Sequence, residues 1–267
     1  ITVHDMIQFI FNYGSGLSRL AALSVLKRVV KTARKIITVS QHTKTDLTGY
    51  LKVRPQKIEV IHEAALPGIY KIEESALLEK ARFRLSLPRD FLLYVGSLKE
   101  HKNVHALIEV FKRLRKQRGI KEELVLVGRL DPRYEEERRL SAFFKPEDGI
   151  HYRGEARSED LIYYYNLAKV LVHTSLYEGF GLTLLEAFTC GLPVLASDTA
   201  SIPEVTGGAA FLVDPRNLDE IYNKLYNILF NSELRNSLSQ RGLKRAGDFS
   251  WNKAAEKTLQ LYREVSS

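Results

Sequence analysis

Residues 170–197 read VLVHTSLYEGFGLTLLEAFTCGLPVLAS. Val170–Thr174 is a short, nearly continuous apolar run, 181–189 has a helical pattern, and Val194–Ser197 is apolar again. Strand, glycine turn, helix, strand is the unit that lays two strands parallel in one sheet. Working outward, similar runs occur at Phe91–Val95, Leu124–Val127, Ile150–Tyr152 and Ala210–Val213, with helical patterns at 103–118 and 158–168 between them. Continuous hydrophobic strands alternating with helices predict an α/β fold with a parallel sheet covered on both faces. Several strands end in glycine or a small polar residue: Gly96 and Ser97, Gly128, Gly154, Thr174 and Ser175, Ser197. Open α/β sheets bind ligands outside the carboxyl ends of their strands, so the chemistry is expected on these turns.

Ahead of this array, KIITVS (35–40) is a β-branched strand whose Ser40 can cap the helix QHTKTDLTGYL. KIEVIHEAA (57–65) is a further strand, and LPGIYKIEES has the proline, glycine and mixed charge of a linker. The opening ITVHD reads as a strand already in progress, so a domain is expected to begin upstream of Ile1. Helical patterns over 217–246 and 251–265 close the chain.

The 267 residues suit one large domain or two smaller ones, and 45% hydrophobic with 27% charged residues is an ordinary globular balance. No apolar run reaches the roughly 18–20 residues that span a bilayer, and no secretory signal opens the sequence. The single Cys190 excludes an internal disulfide, fits a reducing compartment, and is read as a small buried hydrophobe. The net charge of +8 suggests an anionic partner, for which nucleic acid, a phosphorylated metabolite and an acidic membrane surface all qualify. No base-stacking motif supports nucleic acid. Between Asp5 and Asp46 there is no acidic residue, while Arg19, Lys27, Arg28, Lys31, Arg34, Lys35 and Lys44 are basic. From Gly16 to about Lys35, Leu17, Leu20, Leu23, Leu26, Val29 and Val30 recur at helical spacing. This basic amphipathic helix has two readings: a solvated face of its own domain, or a reversible dock on anionic lipid headgroups.

Two segments carry the chemistry. In YVGSLKEHKNVHALIEVF (94–111), Gly96 and a polar loop lead to a helix starting near Asn103. A glycine turn at a helix N-terminus offers free N–H groups and a positive dipole end to a phosphate. Lys102 lies there, poorly placed for the dipole alone, so an anion nearby would explain it. His101 and His105 are spaced like zinc ligands but have no third partner, and no Asp-x-Asp pair holds a magnesium diphosphate, so no metal is expected. In the opening stretch Glu178 and Glu186 have seven residues between them, and buried carboxylates are costly unless paired. Glu178 would lie in the turn and Glu186 about one turn into the helix, both directed towards one strand-end crevice. Gly179 and Gly181 would let the backbone approach a ligand, and carboxylates accept well from sugar hydroxyls.

These segments resemble the family 4 glycosyltransferases, retaining nucleotide-sugar enzymes of the GT-B fold. SLYEGFGLTLLEAFTCGLPVLASDTASIPEVTGGAAFLVDP is similar to their Glu-x7-Glu signature, YVGSLKEHKNVHALIEVF to their Gly-Arg-x-x-x-x-Lys-Asn segment, and TVHD to their donor-facing His-Asp loop. The resemblance implies two Rossmann-like domains: the later part of an acceptor-side domain over 1–66, a linker and first helix over 67–88, a nucleotide-sugar domain over 89–250, and a C-terminal helix over 251–267. It implies that Lys102 binds the donor diphosphate in place of a metal ion, that Glu186 accepts from the ribose hydroxyls, and that Glu178 contacts the transferred sugar. Gly96 would line the diphosphate loop, Gly179, Phe180, Gly181 and Leu182 would line the sugar and diphosphate, Tyr152 and Arg153 would sit near the base, and His4 would face the donor sugar. Two positions depart from the pattern: Ser97 stands for the usual arginine, and Glu63-Ala64 for the usual Asn-Gly.

The expected activity is therefore retaining hexosyl transfer, without metal or cofactor, from a nucleotide-diphosphate sugar to a hydroxyl of a glycan, polysaccharide or lipid-linked acceptor. VHD is similar to the mannosyltransferases of the family, which favours GDP-mannose, with UDP-glucose next. The expected location is the cytoplasm, peripheral at the inner face of the cell membrane, with no nucleic-acid partner. A nucleotide-binding module without transfer activity is the alternative.

Overall fold

The computed structural model describes residues 1–11, 13, 16–131 and 133–266, apart from the side chains of Ser18 and Glu136. Two parallel sheets organise it. The first has β1 (Thr2–Val3), β2 (Ile36–Thr38) and β3 (Ile58–Val60) in the order β1-β2-β3. Around it lie α1 (Ile7–Ile10), α2 (Gly16–Thr32) and α3 (Gln41–Leu51). Ser40 caps α3 as its position predicts, its hydroxyl accepting the Thr43 N–H at 3.0 Å.

The second unit begins with α4 (Ser75–Arg84) and continues as β4 (Phe91–Val95), α5 (Val104–Arg118), β5 (Glu123–Val127), α6 (Glu135–Ser141), β6 (Ile150–Tyr152), α7 (Ser158–Leu167) and β7 (Val170–His173). It ends with α8 (Leu182–Thr189), β8 (Val194–Ser197), α9 (Ile202–Thr206), β9 (Phe211–Val213), α10 (Leu218–Phe230) and α11 (Ser232–Ala246). The six strands lie in the order β6-β5-β4-β7-β8-β9, all parallel, so the order turns back between β4 and β7. The pleat divides the strand residues between two layers: Phe91 and Leu93 join the cluster containing Leu184 and Phe188 of α8, Leu92 and Tyr94 the one containing Phe111 of α5 and Leu225 of α10. Sheet and two helical layers are the Rossmann-like arrangement the strand rhythm predicts.

The last helix, α12 (Trp251–Ser266), returns to the first unit: Leu261 packs on Ile37 and Ile61, and the Trp251 Nε1–H donates to the Ala65 carbonyl at 2.9 Å. One expectation changes. The helix expected to run to about Lys35 stops at Thr32, because Ile36 belongs to the strand. Its apolar stripe is also largely open. Val30 is buried, but Leu17 is 84% and Leu20 59% exposed, because the first unit covers only the Leu26–Val30 end. No helix among the described residues is long and apolar enough to cross a membrane.

Candidate active site

The point where the strand order reverses is where ligands of doubly wound sheets bind. Here it gathers the loop after β4 and the turn after β7. The β4 loop closes through glycines: Gly96 N–H donates to the Val127 carbonyl at 2.9 Å, and a Cβ on Gly128 would lie 1.8 Å from the Gly96 carbonyl oxygen. Only glycine fits at 128 (φ 148°). The loop then turns through Lys102 and Asn103, the latter left-handed and tied by its amide to the Pro215 carbonyl at 2.8 Å.

Lys102 and Glu178 meet at the centre, Nζ to Oε1 at 2.6 Å. The His173 Nε2 lies 3.1 Å from the same oxygen, so the imidazole donates there, while its buried Nδ1 has no partner among the described residues. Burial by itself would push the Glu178 carboxyl up, but the Lys102 charge and the His173 hydrogen bond hold it well below the usual range. The anion that the position of Lys102 called for is thus Glu178 itself. As a firmly ionised carboxylate, Glu178 is a good hydroxyl acceptor and a weak base.

The turn Gly179–Gly181 is braced from both units. The Ser201 hydroxyl is 3.0 Å from the Glu178 carbonyl and 2.9 Å from that of Phe180. The Ser40 hydroxyl donates to the Gly179 carbonyl at 2.7 Å. A Cβ on Gly179 would stand 2.3 Å from the His4 carbonyl oxygen. Gly181 enters α8 with φ 112°, and no side chain caps that helix, so its first N–H groups face the turn. Beyond the turn, Glu204 of α9 accepts the Gln41 N–H at 2.9 Å and lies 2.7 Å from the His62 Nε2, and the His62 ring stacks on Phe180. Tyr177 donates its hydroxyl to Asp46 of α3.

These contacts enclose a cavity of about 290 Å3 between the two units. His4, Lys102, Glu178, Gly179, Phe180, Gly181 and Leu182 all line it, which brings together seven of the residues expected at the site. Asp5, of the expected His-Asp loop, lines it too, as do Glu63 and Thr183, which were not expected there. Glu63 has a sequence signal, its departure from the Asn-Gly of the resembled family. His173 had none, because VLVH reads simply as a buried strand.

The other expected residues lie apart. Glu186 does not line this cavity: its carboxylate accepts the Tyr165 hydroxyl at 2.6 Å and the Leu66 N–H. Burial pushes its carboxyl up despite these two donors. The two glutamates therefore have separate hydrogen-bond partners. Ser97 lines a neighbouring polar cavity of about 560 Å3, with Arg19, Lys99 and His101, that shares Asp5 and Ile7 with the first. Tyr152 donates to the Gly128 carbonyl at 3.0 Å and stacks on Phe144, and Arg153 donates to the Ser86 carbonyl. His101 and His105 do not act as a pair. The Tyr13 hydroxyl is 2.8 Å from His101 Nδ1, whereas His105 packs edge-on against Phe143. Among the described residues no cluster of three His, Cys, Asp or Glu side chains assembles. Cys190 is buried as expected, its thiol pushed up to about 12 by burial.

A model of the glycosyl transferases group 1 matches residues 78–245, and one of glycosyltransferase family 4 matches residues 1–64. The chain belongs to the group 1 glycosyl transferases. Within the family it is 29% identical over 240 residues to the O-antigen chain mannosyltransferase B of Escherichia coli, covering 89% of this chain and 62% of that protein. It is 29% identical over 244 residues to the MMP alpha-(1->4)-mannosyltransferase of Mycolicibacterium hassiacum, covering 90% of this chain and 56% of the relative. Among solved structures, a sucrose-phosphate synthase from Thermosynechococcus elongatus superimposes with a TM-score of 0.82 at 26% identity, over 99% of this chain and 67% of that one. The chain thus spans somewhat under two thirds of these mannosyltransferases. Two Rossmann-like units facing a cleft are the GT-B architecture shared with that synthase.

Proposed function

We propose that the protein transfers a hexose from a nucleotide-diphosphate sugar to an acceptor hydroxyl with retention of anomeric configuration, without a metal ion. The observation that carries this is the Lys102–Glu178–His173 cluster beside the uncapped N-terminus of α8, at the switch point of the sheet. On donor binding, Lys102 and the α8 N–H groups stabilise the diphosphate as it departs with negative charge, the electrostatic work a metal performs elsewhere. Glu178 accepts from the hydroxyls of the transferred sugar, opposite His4, and Glu186 from the ribose. The Lys102 ion pair and the His173 contact already engage the Glu178 carboxylate, which favours displacement on the face the leaving phosphate vacates over a covalent intermediate on Glu178.

The mannosyltransferase relatives favour GDP-mannose as donor, with UDP-glucose next, and a growing glycan, polysaccharide or glycolipid as acceptor. The exposed Leu17 and Leu20 and the basic residues of α2 support a peripheral position on an anionic membrane surface facing the cytoplasm. Thermal-shift screening of nucleotide sugars tests the donor. A ligand at 100 times its Kd stabilises by about 2.7 kcal/mol, so GDP-mannose should raise the melting point more than other nucleotide sugars. Radiolabelled transfer to a mannan acceptor should follow, and Lys102→Ala should abolish it. Unchanged transfer in that variant removes the diphosphate assignment, and donor binding with neither transfer nor hydrolysis indicates a binding module.

A further inference from the structure

We propose that Glu63 is the positioning residue for His4, fixing which imidazole nitrogen is offered to the donor cavity. The inference rests on reading that cavity as a sugar-nucleotide site. His4 follows β1 and Glu63 follows β3, and because both strands run parallel to β2 their carboxyl ends bring the two residues to the same edge of the cleft. His4 Nδ1 lies 3.2 Å from Glu63 Oε1, and both side chains line the cavity that contains Lys102 and Glu178. The Glu63 side chain is 18% exposed and that of His4 63%, so the carboxylate is set back behind a ring open to the cleft. Burial raises the Glu63 carboxyl and the contact with His4 opposes that rise.

A carboxylate only accepts hydrogen bonds. Beside a neutral imidazole it selects the tautomer with the proton on Nδ1 and leaves Nε2 as an acceptor. A sugar hydroxyl would then donate to Nε2. An asparagine at this position, as in the resembled family, offers both an acceptor and a donor and selects neither tautomer. The three acidic residues of the cavity thereby have distinct partners: Glu178 is bound to Lys102 and His173, Glu63 to His4, and Asp5 accepts the Ile7 N–H.

The test uses the full chain, with the seven histidines labelled with 15N and His4 assigned by comparison with His4→Gln. At alkaline pH the His4 resonances should report a proton on Nδ1. Glu63→Leu should convert them to a tautomer mixture, and so should Glu63→Gln, whose amide offers a donor as well as an acceptor. In parallel, Glu63→Leu should weaken GDP-mannose binding about tenfold, the loss of one well-placed hydrogen bond, and leave GDP binding unchanged. Glu63→Gln should fall between Glu63→Leu and wild type in GDP-mannose binding and leave GDP binding unchanged. A wild-type Nε2–H tautomer overturns the proposal, as does equal weakening of GDP and GDP-mannose in Glu63→Leu. If wild type binds no nucleotide sugar at all, the donor reading fails, and the tautomer measurement alone still decides the role of Glu63.

Discussion

Replacing Lys102 with methionine removes the charge from the most buried ion pair of the cleft while keeping an apolar stem of similar length. The Glu178 side chain is 9% exposed and that of Lys102 18%, so solvent cannot take over as counterion. His173 would remain as a single hydrogen-bond donor. Stripping one partner from a buried pair costs about 3–5 kcal/mol, and this loss is expected at neutral pH. Its pH dependence is the sharper signature. In wild type the folded Glu178 carboxyl sits below its unfolded value of 4.5, so its contribution is complete above that pH and is lost as pH falls through the folded value. In Lys102→Met burial is no longer opposed by the lysine, and the folded value rises above the unfolded one. The variant is then relatively most stable below the unfolded value and weakens as pH rises. The gap between the two proteins should be widest at neutral pH, begin to shrink as pH falls through the raised folded value of the variant, and go on shrinking below 4.5 as wild type loses its own contribution. Urea denaturation at several pH values measures it, urea being preferred because it does not screen charge. Adding Glu178→Gln should recover most of the loss at neutral pH. A pH-independent gap, or no recovery in the double variant, would refute the pairing as described.

Three further outcomes follow from the same geometry. Glu186→Gln should hold or raise stability at neutral pH, because the folded carboxyl lies above its unfolded value and its ionisation there opposes folding, while nucleotide affinity falls; calorimetry and a binding titration read the two effects. Gly179→Ala sets a methyl against the His4 carbonyl and should cost about 1–3 kcal/mol and part the two units, visible as a larger radius of gyration by small-angle scattering. His101, lowered from 6.5 to about 4 mainly by burial and secondly by Lys102, stays neutral in the fold. Stability should therefore fall by up to roughly 3 kcal/mol as pH drops from 6.5 to 4, and His101→Phe should flatten that limb of the melting profile.

The parts of the fold legible in the sequence are those where one signal suffices. Strands β4 to β9 are largely apolar because both faces of the sheet are covered, and the runs at Phe91–Val95 and Val194–Ser197 match the observed strands residue for residue. Ser40 was legible as a cap because the reason for its residue type is local. What escaped depended on long-range neighbours. The return of α12 to the first sheet is decided by where Ile37 and Ile61 leave a gap, which no helical periodicity encodes. Glu178 in the turn and Glu186 one turn into the helix were expected to face one strand-end crevice, and the partner that holds the Glu186 carboxylate, Tyr165 of another helix, has no local signal. Lys102 was the converse case, an awkward charge at a helix start read as a sign of a bound phosphate, whose partner within the protein is the Glu178 carboxylate.

The docking of α12 on the first sheet has a mechanical consequence. The backbone passes between the units twice, once after β3 and again between α11 and α12, so they are joined at two separate points. Two joints define an axis. Opening of the cleft is confined to rotation about the line through them, and twisting of one unit against the other is suppressed. A cleft restricted to that single motion re-forms in the same register at every closure, returning the Gly179 carbonyl to the Ser40 hydroxyl and Glu204 to the start of α3.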